Sequence, residues 1–388
     1  MDDIAYQARV MTALNEVEPE VWNAVANPVG LPYDPFLSWE FLEALESSGA
    51  AQSKTGWSPC HILVEGPNGE IVAALPLYAK THSQGEFVFD HSWADAYQRA
   101  GGNYFPKLLS AVPFTPVTGR RFLVPPGPDQ ARLQNALLSA ALQVAAQNDF
   151  SSLHINFLTP DAAAEMDETG LLVRTDQQFH WHNAGYADFA GFLADLSSSK
   201  RKNLRKERAK AQAGLTFKHL TGTDITDAHW DAFFQFYMDT GARKWGYPYL
   251  NRDTFSQLGT RLADNILLIL AFEDDVPIAG ALNFIGEKTL YGRYWGCTRP
   301  RPFLHFETCY YQAIDFAIAH GLETVEAGAQ GGHKLARGYV PVTTYSAHWI
   351  AHAGLRDAIA HYLDRERHAV KDEIEYLNKR TPFRKDTQ

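Results

Sequence analysis

Hydrophobic positions in the first half of the chain follow two periods. Short alternating or continuous apolar runs predict strands at residues 6–10 and 86–89, and a hairpin within residues 57–80 around the turn Gly66-Pro67-Asn68-Gly69. Apolar positions three and four apart predict helices at 19–26, in the later part of 32–50, at 131–147 and at 161–169. Ser38 stands where a cap belongs, ahead of an apolar face made by Phe41, Leu42 and Leu45. Residues 153–158 read as a buried strand, with further strands near Leu172 and at 179–182. Residues 90–108, dense in aromatics and charges, and the Pro-rich stretch 112–128 read as loops.

The second half opens near Asp188. A helix is predicted at 197–214, capped by Ser199 or a neighbour and closed by Gly214. A strand at 215–220, a long helix at 226–243, and a loop with another helix within 243–263 follow. Residues 266–272, 276–285 and 289–295 predict a three-stranded meander, followed by a helix at 303–320 closed by Gly321. The strand 322–327, a strand at 343–349 and a mostly polar helix at 355–379 complete the chain.

The two halves share more than an element order. HILVEGPNGEIVAALPL, starting at His61, aligns without a gap on LILAFEDDVPIAGALNF, starting at Leu268. Upstream, Pro35-Phe36-Leu37 meets Pro248-Tyr249-Leu250. Two copies of one mixed unit therefore account for the length, with an expected division into 1–187 and 188–388, the second carrying the basic helix at its start and the C-terminal helix at its end.

Composition changes this picture little. The 388 residues are 45% hydrophobic, enough for more than one core. The net charge of −10 gives no overall field for nucleic acid, so a polyanion needs a local basic patch, and nothing suggests DNA. Three scattered cysteines make neither a disulfide framework nor a CxxC metal site, so no metal is expected. No apolar run is long enough for a membrane span and the first residues do not resemble a secretory signal, so a cytoplasmic protein without integral membrane association is expected. The oligomeric state stays open.

Candidate chemistry concentrates in EAGAQGGHKLARGY, which begins at Glu326. Gly328, Gly331 and Gly332 permit sharp turns and close approach. Lys334 and Arg337 would share a face of a short helix starting near Gly332, and backbone donors at its start would suit an anion. The alternative is a Gly-rich turn with solvated charges. Lys200, Arg201, Lys202 and Arg205 open a helix that is almost purely basic, fit for phosphates or, equally, for solvent. Arg243, Trp245 and Tyr249, and Arg293 with Trp295, are cation–aromatic groups of the kind that line polar clefts. Asp90, Trp93, Asp95, Tyr97 and Lys107 form a similar group in the first half. No HExxH, GxSxG or P-loop occurs, so protease, hydrolase and NTPase readings lack support.

Two helices, a three-strand meander, a helix and a strand is the order of the GNAT acyltransferase fold, and a duplicated copy resembles Fem-type tandem proteins. The motifs GEFVFDHSWADAYQRAGGNYFPKL, AVPFTPVTG, QFHWHNAGY, SSSKRKNLRKER, RKWGYPYL, LYGRYWG, LHFETCYYQ and GAQGGHKLARGY are similar to those of the FemAB-like family. The resemblance covers nearly the whole chain. It implies an α+β fold of two tandem GNAT-like domains sharing a cleft, each a mixed, mainly antiparallel sheet flanked by helices.

It also implies transfer of an aminoacyl or other acyl group to an amine, with a peptidoglycan precursor as acceptor. The alternatives are an acyl-CoA-dependent enzyme and a non-catalytic precursor-binding protein. The slot that holds coenzyme A in most enzymes of the fold reads GCTRPRPFLHFE here, with two prolines and no glycine pair, unless Arg299 and Arg301 grip a diphosphate by side chain. Aminoacyl-tRNA is thus expected as donor ahead of acyl-CoA, with no tightly bound cofactor. By position, Lys334 matches the lysine that Fem-type enzymes carry near the transfer site. Glu307, Glu326, His305 and His333 are the candidates for proton handling, while Gln330 and Arg337 join the substrate-binding set.

Overall fold

The computed structural model describes residues 6–244, 248–328 and 331–384, with 242–244 as backbone alone. In chain order the first elements are β1 (Gln7–Met11), α1 (Pro19–Ala26), α2 (Trp39–Ser47), β2 (Trp57–Pro59), β3 (His61–Glu65), β4 (Ile71–Leu75), β5 (Tyr78–Lys80), α3 (His91–Arg99), β6 (Lys107–Ser110), α4 (Gln130–Gln147), β7 (Ser152–Leu158), α5 (Pro160–Glu168) and β8 (Leu172–His182). Next come α6 (Phe189–Asp195), α7 (Ser198–Gln212), β9 (Thr216–Thr221), α8 (Asp227–Lys244), α9 (Arg252–Arg261), β10 (Ile266–Glu273), β11 (Val276–Ile285) and β12 (Thr289–Cys297). A helical stretch follows: α10 (Leu304–Phe306), a π turn (Glu307–Tyr311) and α11 (Gln312–Ala319). Then come β13 (Thr324–Glu326), a 3-10 turn (Gly332–Arg337), β14 (Val340–Ile350) and α12 (Ala353–Asn378).

The chain divides into two units, Met1–Asp176 with Thr343–Lys371, and Gln177–Val342 with Asp372–Gln388. This differs from a cut at 187/188 in one main respect: residues 343–371 return to the first unit, because β14 pairs antiparallel with β7 from Tyr345↔Leu158 to Ile350↔Ser152. Each unit is α+β. The first has a small sheet in the order β1-β3-β4 and a larger one in which β2, β5, β6, β7 and β14 are successive neighbours. In the second unit the order is β13-β12-β11-β10-β9, with β8 beside β13.

The repeat has structural counterparts. Ser38 accepts a hydrogen bond from Phe41 N at the start of α2, and Asn251, at the aligned position, accepts one from Thr254 N at the start of α9. The hairpins β3–β4 and β10–β11 both slip register at the aligned place, between Val64 and Glu65 and between Ala271 and Phe272.

Three expectations need correcting. Residues 86–89 form no strand: Phe87 adopts a left-handed φ of 58°, and Glu86 turns inward to accept from Lys107 Nζ at 2.7 Å. Residues 90–108 are not all loop but hold α3 and the start of β6; α3 buries only Trp93, so its sequence lacks an apolar stripe. The two strands expected near 172 and 179–182 are one strand, β8, and α6 was not anticipated.

One interior face of the first unit is charged. Lys107 Nζ donates to Ser83 Oγ at 2.9 Å, to Glu86 and to Asp90, while Lys80 lies 3.8 Å from Glu86 and 3.7 Å over Trp57. Two buried cations thus face two buried carboxylates, the condition under which such burial is tolerated. Burial pushes Lys80 down to about 7; it also works to raise Asp90, but Lys107 wins and holds that carboxyl below the usual range. Beside them His154 Nδ1 meets His348 Nδ1 at 2.6 Å, with Ser152 and Ser346 on the outer nitrogens. The cleft-lining group suggested for the first half is therefore divided. Asp90, Trp93 and Lys107 belong to this interior, Asp95 is exposed on α3, and Tyr97 packs on His352.

Candidate active site

The second unit contains a fork. β12 runs parallel to β13 for three pairs, Thr289↔Thr324, Leu290↔Val325 and Tyr291↔Glu326. There β13 ends, whereas β12 continues to Cys297, paired on its other side with β11 through a slip between Leu282 and Asn283. A pocket of about 100 Å3 opens where the parallel strands part, walled by Asn283, Gly292, Arg293, Trp295, Cys309 and Tyr310 among others. His305 also lines it, its ring 5.2 Å from that of Trp295.

Lys334 stands beside this pocket. The 3-10 turn holds it only 2% exposed, and its Nζ donates to Gly328 O at 2.9 Å. That carbonyl directly follows the pocket residue Ala327, and the turn needs glycine: Gly328 has φ 75° and Gly331 φ 124°. Burial pushes the Lys334 amine down to about 7, and repulsion from Arg293 adds to the effect. Arg293 is fixed in turn, its Nη2 2.9 Å from Glu326 Oε2 and its Nη1 on Gly292 O. Glu326 Oε1 lies 3.8 Å from His180 Nε2, and burial holds that imidazole below its ordinary pKa.

The other expected site residues are used differently. Arg337 shares the turn with Lys334, but its head goes elsewhere: Nη2 reaches Glu207 of α7 at 2.8 Å, Nη1 donates to His333 O, and the guanidinium lies 3.4 Å over Phe306. Glu307, fully buried in the π turn, accepts on Oε1 from Arg208, Gln212 and Gln312, and burial raises its pKa. It braces α7 and does not line the pocket. His333 is exposed, with Nε2 2.9 Å from the hydroxyl of Tyr310. Tyr249 is 38% exposed in the loop before α9 and does not reach the pocket. The site roles suggested for Gln330, Trp245 and the Arg243 side chain fall outside the described residues. Arg299 Nη1 lies 2.9 Å from Glu273, Arg301 pairs with the same carboxylate, and at the start of α10 Leu304 N donates to Arg301 O.

Sequence reasoning missed Asn283, Gly292, Cys309 and Tyr310. Asn283 had a signal: it is the one strongly polar residue in the apolar run VPIAGALNFI. His180 had one too, since Phe179 and Trp181 alternate with it into the core. Among the described residues no group of three or more His, Cys, Asp or Glu could hold a metal ion, and no helix is long and apolar enough to cross a membrane.

On α7, Lys202 and Arg205 are exposed and Lys200 and Arg201 half-buried. The C-terminal segment extends this surface. Leu196 bridges to Phe383 and Ser197 N donates to Pro382 O, setting the exposed Lys379, Arg380 and Arg384 near the start of α7. Tyr376, 52% exposed, carries the Arg380 guanidinium 4.0 Å above its ring.

Among solved structures, FemX aligns with a TM-score of 0.54 and 13% identity over 89% of this chain and 98% of its own. The C-terminal domain assigned to a lysylphosphatidylglycerol synthetase of Agrobacterium fabrum aligns with a TM-score of 0.54 and 10% identity, over 91% and 97% of the two chains. A tandem GNAT protein from the clavulanic acid biosynthesis pathway gives 0.48 at 14% identity, over 90% and 99%. At such identities the likeness to FemX and to the Agrobacterium fabrum domain is one of fold. No curated protein matches the sequence. The profile of the FemAB-like family, described as peptidoglycan biosynthesis/recognition, matches residues 13–385, and the chain belongs to that family.

Proposed function

We propose that this chain is an acyltransferase that moves an aminoacyl group from tRNA to an amine of a peptidoglycan precursor. The observation that carries the reading is Lys334, an amine almost withdrawn from solvent beside the fork pocket and pushed down to about 7. Such an amine is neutral in roughly half of the molecules near neutral pH, whereas an ordinary lysine is almost wholly charged. In the proposed step the acceptor nitrogen attacks the ester carbonyl, a C–N bond forms and the C–O bond to the donor breaks. Neutral Lys334 takes the proton that the nitrogen loses and returns it to the departing oxygen. Arg293, immobilised by Glu326, supplies a fixed positive field for the oxyanion.

The basic surface of α7 and the C-terminal segment supports a polyanionic donor, and the exposed Tyr376 beside it suits an unpaired base. The engagement of Arg299 and Arg301 by Glu273 weighs against coenzyme A at the start of α10. The family's description supports the acceptor class. The test is an assay with tRNA charged with a labelled amino acid and a peptidoglycan precursor, run beside acetyl-CoA. Label in an amide product of the precursor is expected. Transfer from acetyl-CoA alone would replace the donor, and transfer from neither would leave a binding protein and end the reading.

A further inference from the structure

Asn283 is a pocket residue that the transfer step above does not use. It is fully buried on β11, where pairing with β12 slips. Its Nδ2 lies 3.3 Å from both Leu267 O and Ala281 O. Two carbonyl acceptors fix which end of the amide faces them, so Oδ1 faces the other way. That way is the pocket, which Asn283 shares with Gly292. A β-carbon built on Gly292 would stand 3.3 Å from Oδ1, so the oxygen looks across space that only a glycine leaves open. No described residue donates a hydrogen bond to it. A buried amide oxygen in that state calls for a donor from outside the protein.

We infer that Asn283 is the specificity residue of this pocket, its Oδ1 accepting a hydrogen bond from an N–H of the amine acceptor. The inference rests on the acyl-transfer reading for the identity of that nitrogen, and on the pocket alone for the demand that a donor enter it. Carboxylates, phosphates and esters only accept, and find nothing here to satisfy Oδ1. A protonated ammonium has no lone pair for the carbonyl carbon, and it would meet the guanidinium of Arg293 in the wall. The pocket therefore takes the free base, which is also the nucleophilic form. A neutral primary amine has two N–H bonds and one lone pair. One N–H is held by Asn283 and the lone pair is left for the carbonyl carbon. As the C–N bond forms and the C–O bond breaks, the second N–H proton leaves to the departing oxygen through Lys334. The first N–H survives in the amide product, still on Asn283. A volume of about 100 Å3 accommodates the end of an unbranched amine.

The test uses acetamide and acetone, equal in heavy-atom count and different in that only acetamide carries N–H. Each is titrated into the full-length protein while the Asn283 side-chain amide is followed by 1H–15N NMR. Acetamide is expected to shift that resonance and to bind about tenfold more tightly than acetone. Methylamine is expected to bind more tightly as pH rises, since only its free base fits. In Asn283→Leu the preference for acetamide disappears. That variant also strips two carbonyls of a donor and could fail to fold, so the wild-type comparison is decisive by itself. Equal binding of the two probes, or no movement of the Asn283 resonance, overturns the inference. An acetamide preference in a protein that transfers no label sinks the function and leaves the pocket assignment. Label transfer by Asn283→Leu with wild-type kcat and KM for the amine does the reverse.

Discussion

At the scale of single residues, a buried lysine and a buried histidine pair have pKa values that turn into measurable pH dependence. Lys334 titrates at about 7 instead of near 10.5 because burial and Arg293 disfavour its charged form. A rate that needs the neutral amine rises with pH through about 7 and then levels. Lys334→Arg keeps the charge, cannot give up a proton in this range, and is expected to lose that limb together with about a hundredfold in kcat. A profile of kcat against pH for both proteins checks this, and an unchanged limb in the variant removes Lys334 from the chemistry. In the first unit, burial lowers His154 to about 3 and His348 well below its ordinary value. Both imidazoles therefore stay neutral in the folded chain, while the unfolded chain takes up protons below about 6.5. For this pair the unfolded state binds more protons throughout that window, so the pair's contribution to stability falls as pH drops from about 6.5 towards 3, while Glu86, raised by burial to about 7, works the other way down to about 4.5. Urea midpoints at pH 7.5 and pH 5 should differ in the pair's direction, and the difference should shrink in His348→Gln, which carries no titrating group.

At the scale of elements, the sequence was most informative where local physics decides. The caps are a case. Ser38 and Asn251 each hold the third backbone N–H of a helix at aligned positions of the repeat; Ser38 is legible as a small polar residue before an apolar face, and the structure adds Asn251. Ser38→Ala and Asn251→Ala are each expected to cost about 1 kcal/mol, read as a lower urea midpoint with an unchanged slope. The larger loss is expected for Asn251, whose Oδ1 also holds the Thr254 hydroxyl at 3.1 Å. Elements were misread where a distant partner overrides the local pattern. Residues 86–89 have the alternation of a strand, yet Glu86 is claimed by Lys107 and Phe87 turns left-handed to allow it. The site divides in the same manner. Arg293, Trp295, His305 and Lys334 were legible as residues fit for a cleft. The fork was not, because it arises where β13 stops short beside β12, and the Arg293–Glu326 pair spans 33 residues. Arg337 looked equivalent to Lys334 by spacing, and only the position of Glu207 on α7 separates their fates.

At the scale of the whole molecule, the repeat explains the order of elements and not the path of the chain. A tandem duplication read from sequence suggests two consecutive segments, yet the first unit is completed by residues 343–371. The reason is physical. β7 is buried along its whole length, and β14 supplies its antiparallel neighbour from residue 345 onward. Ile350 of β14 and Leu355, Ile359 and Leu363 of α12 then cover Trp93 and Tyr104, while Glu366 takes both ends of the Arg174 guanidinium at 2.7 and 2.8 Å. A chain ending at Val342 would leave β7 with an unpaired edge, expose that apolar cluster and strand Arg174 without its carboxylate. Each loss is of the class that costs several kcal/mol, against a total stability of about 5–15 kcal/mol for a domain. The truncated protein, which also lacks His348, is therefore expected to lose the folded first unit. Far-UV circular dichroism and urea titration of the truncated and full chains measure this directly. A truncated chain that still unfolds cooperatively with the full-length slope would mean that residues 6–176 hold their fold without the returning strand and helix.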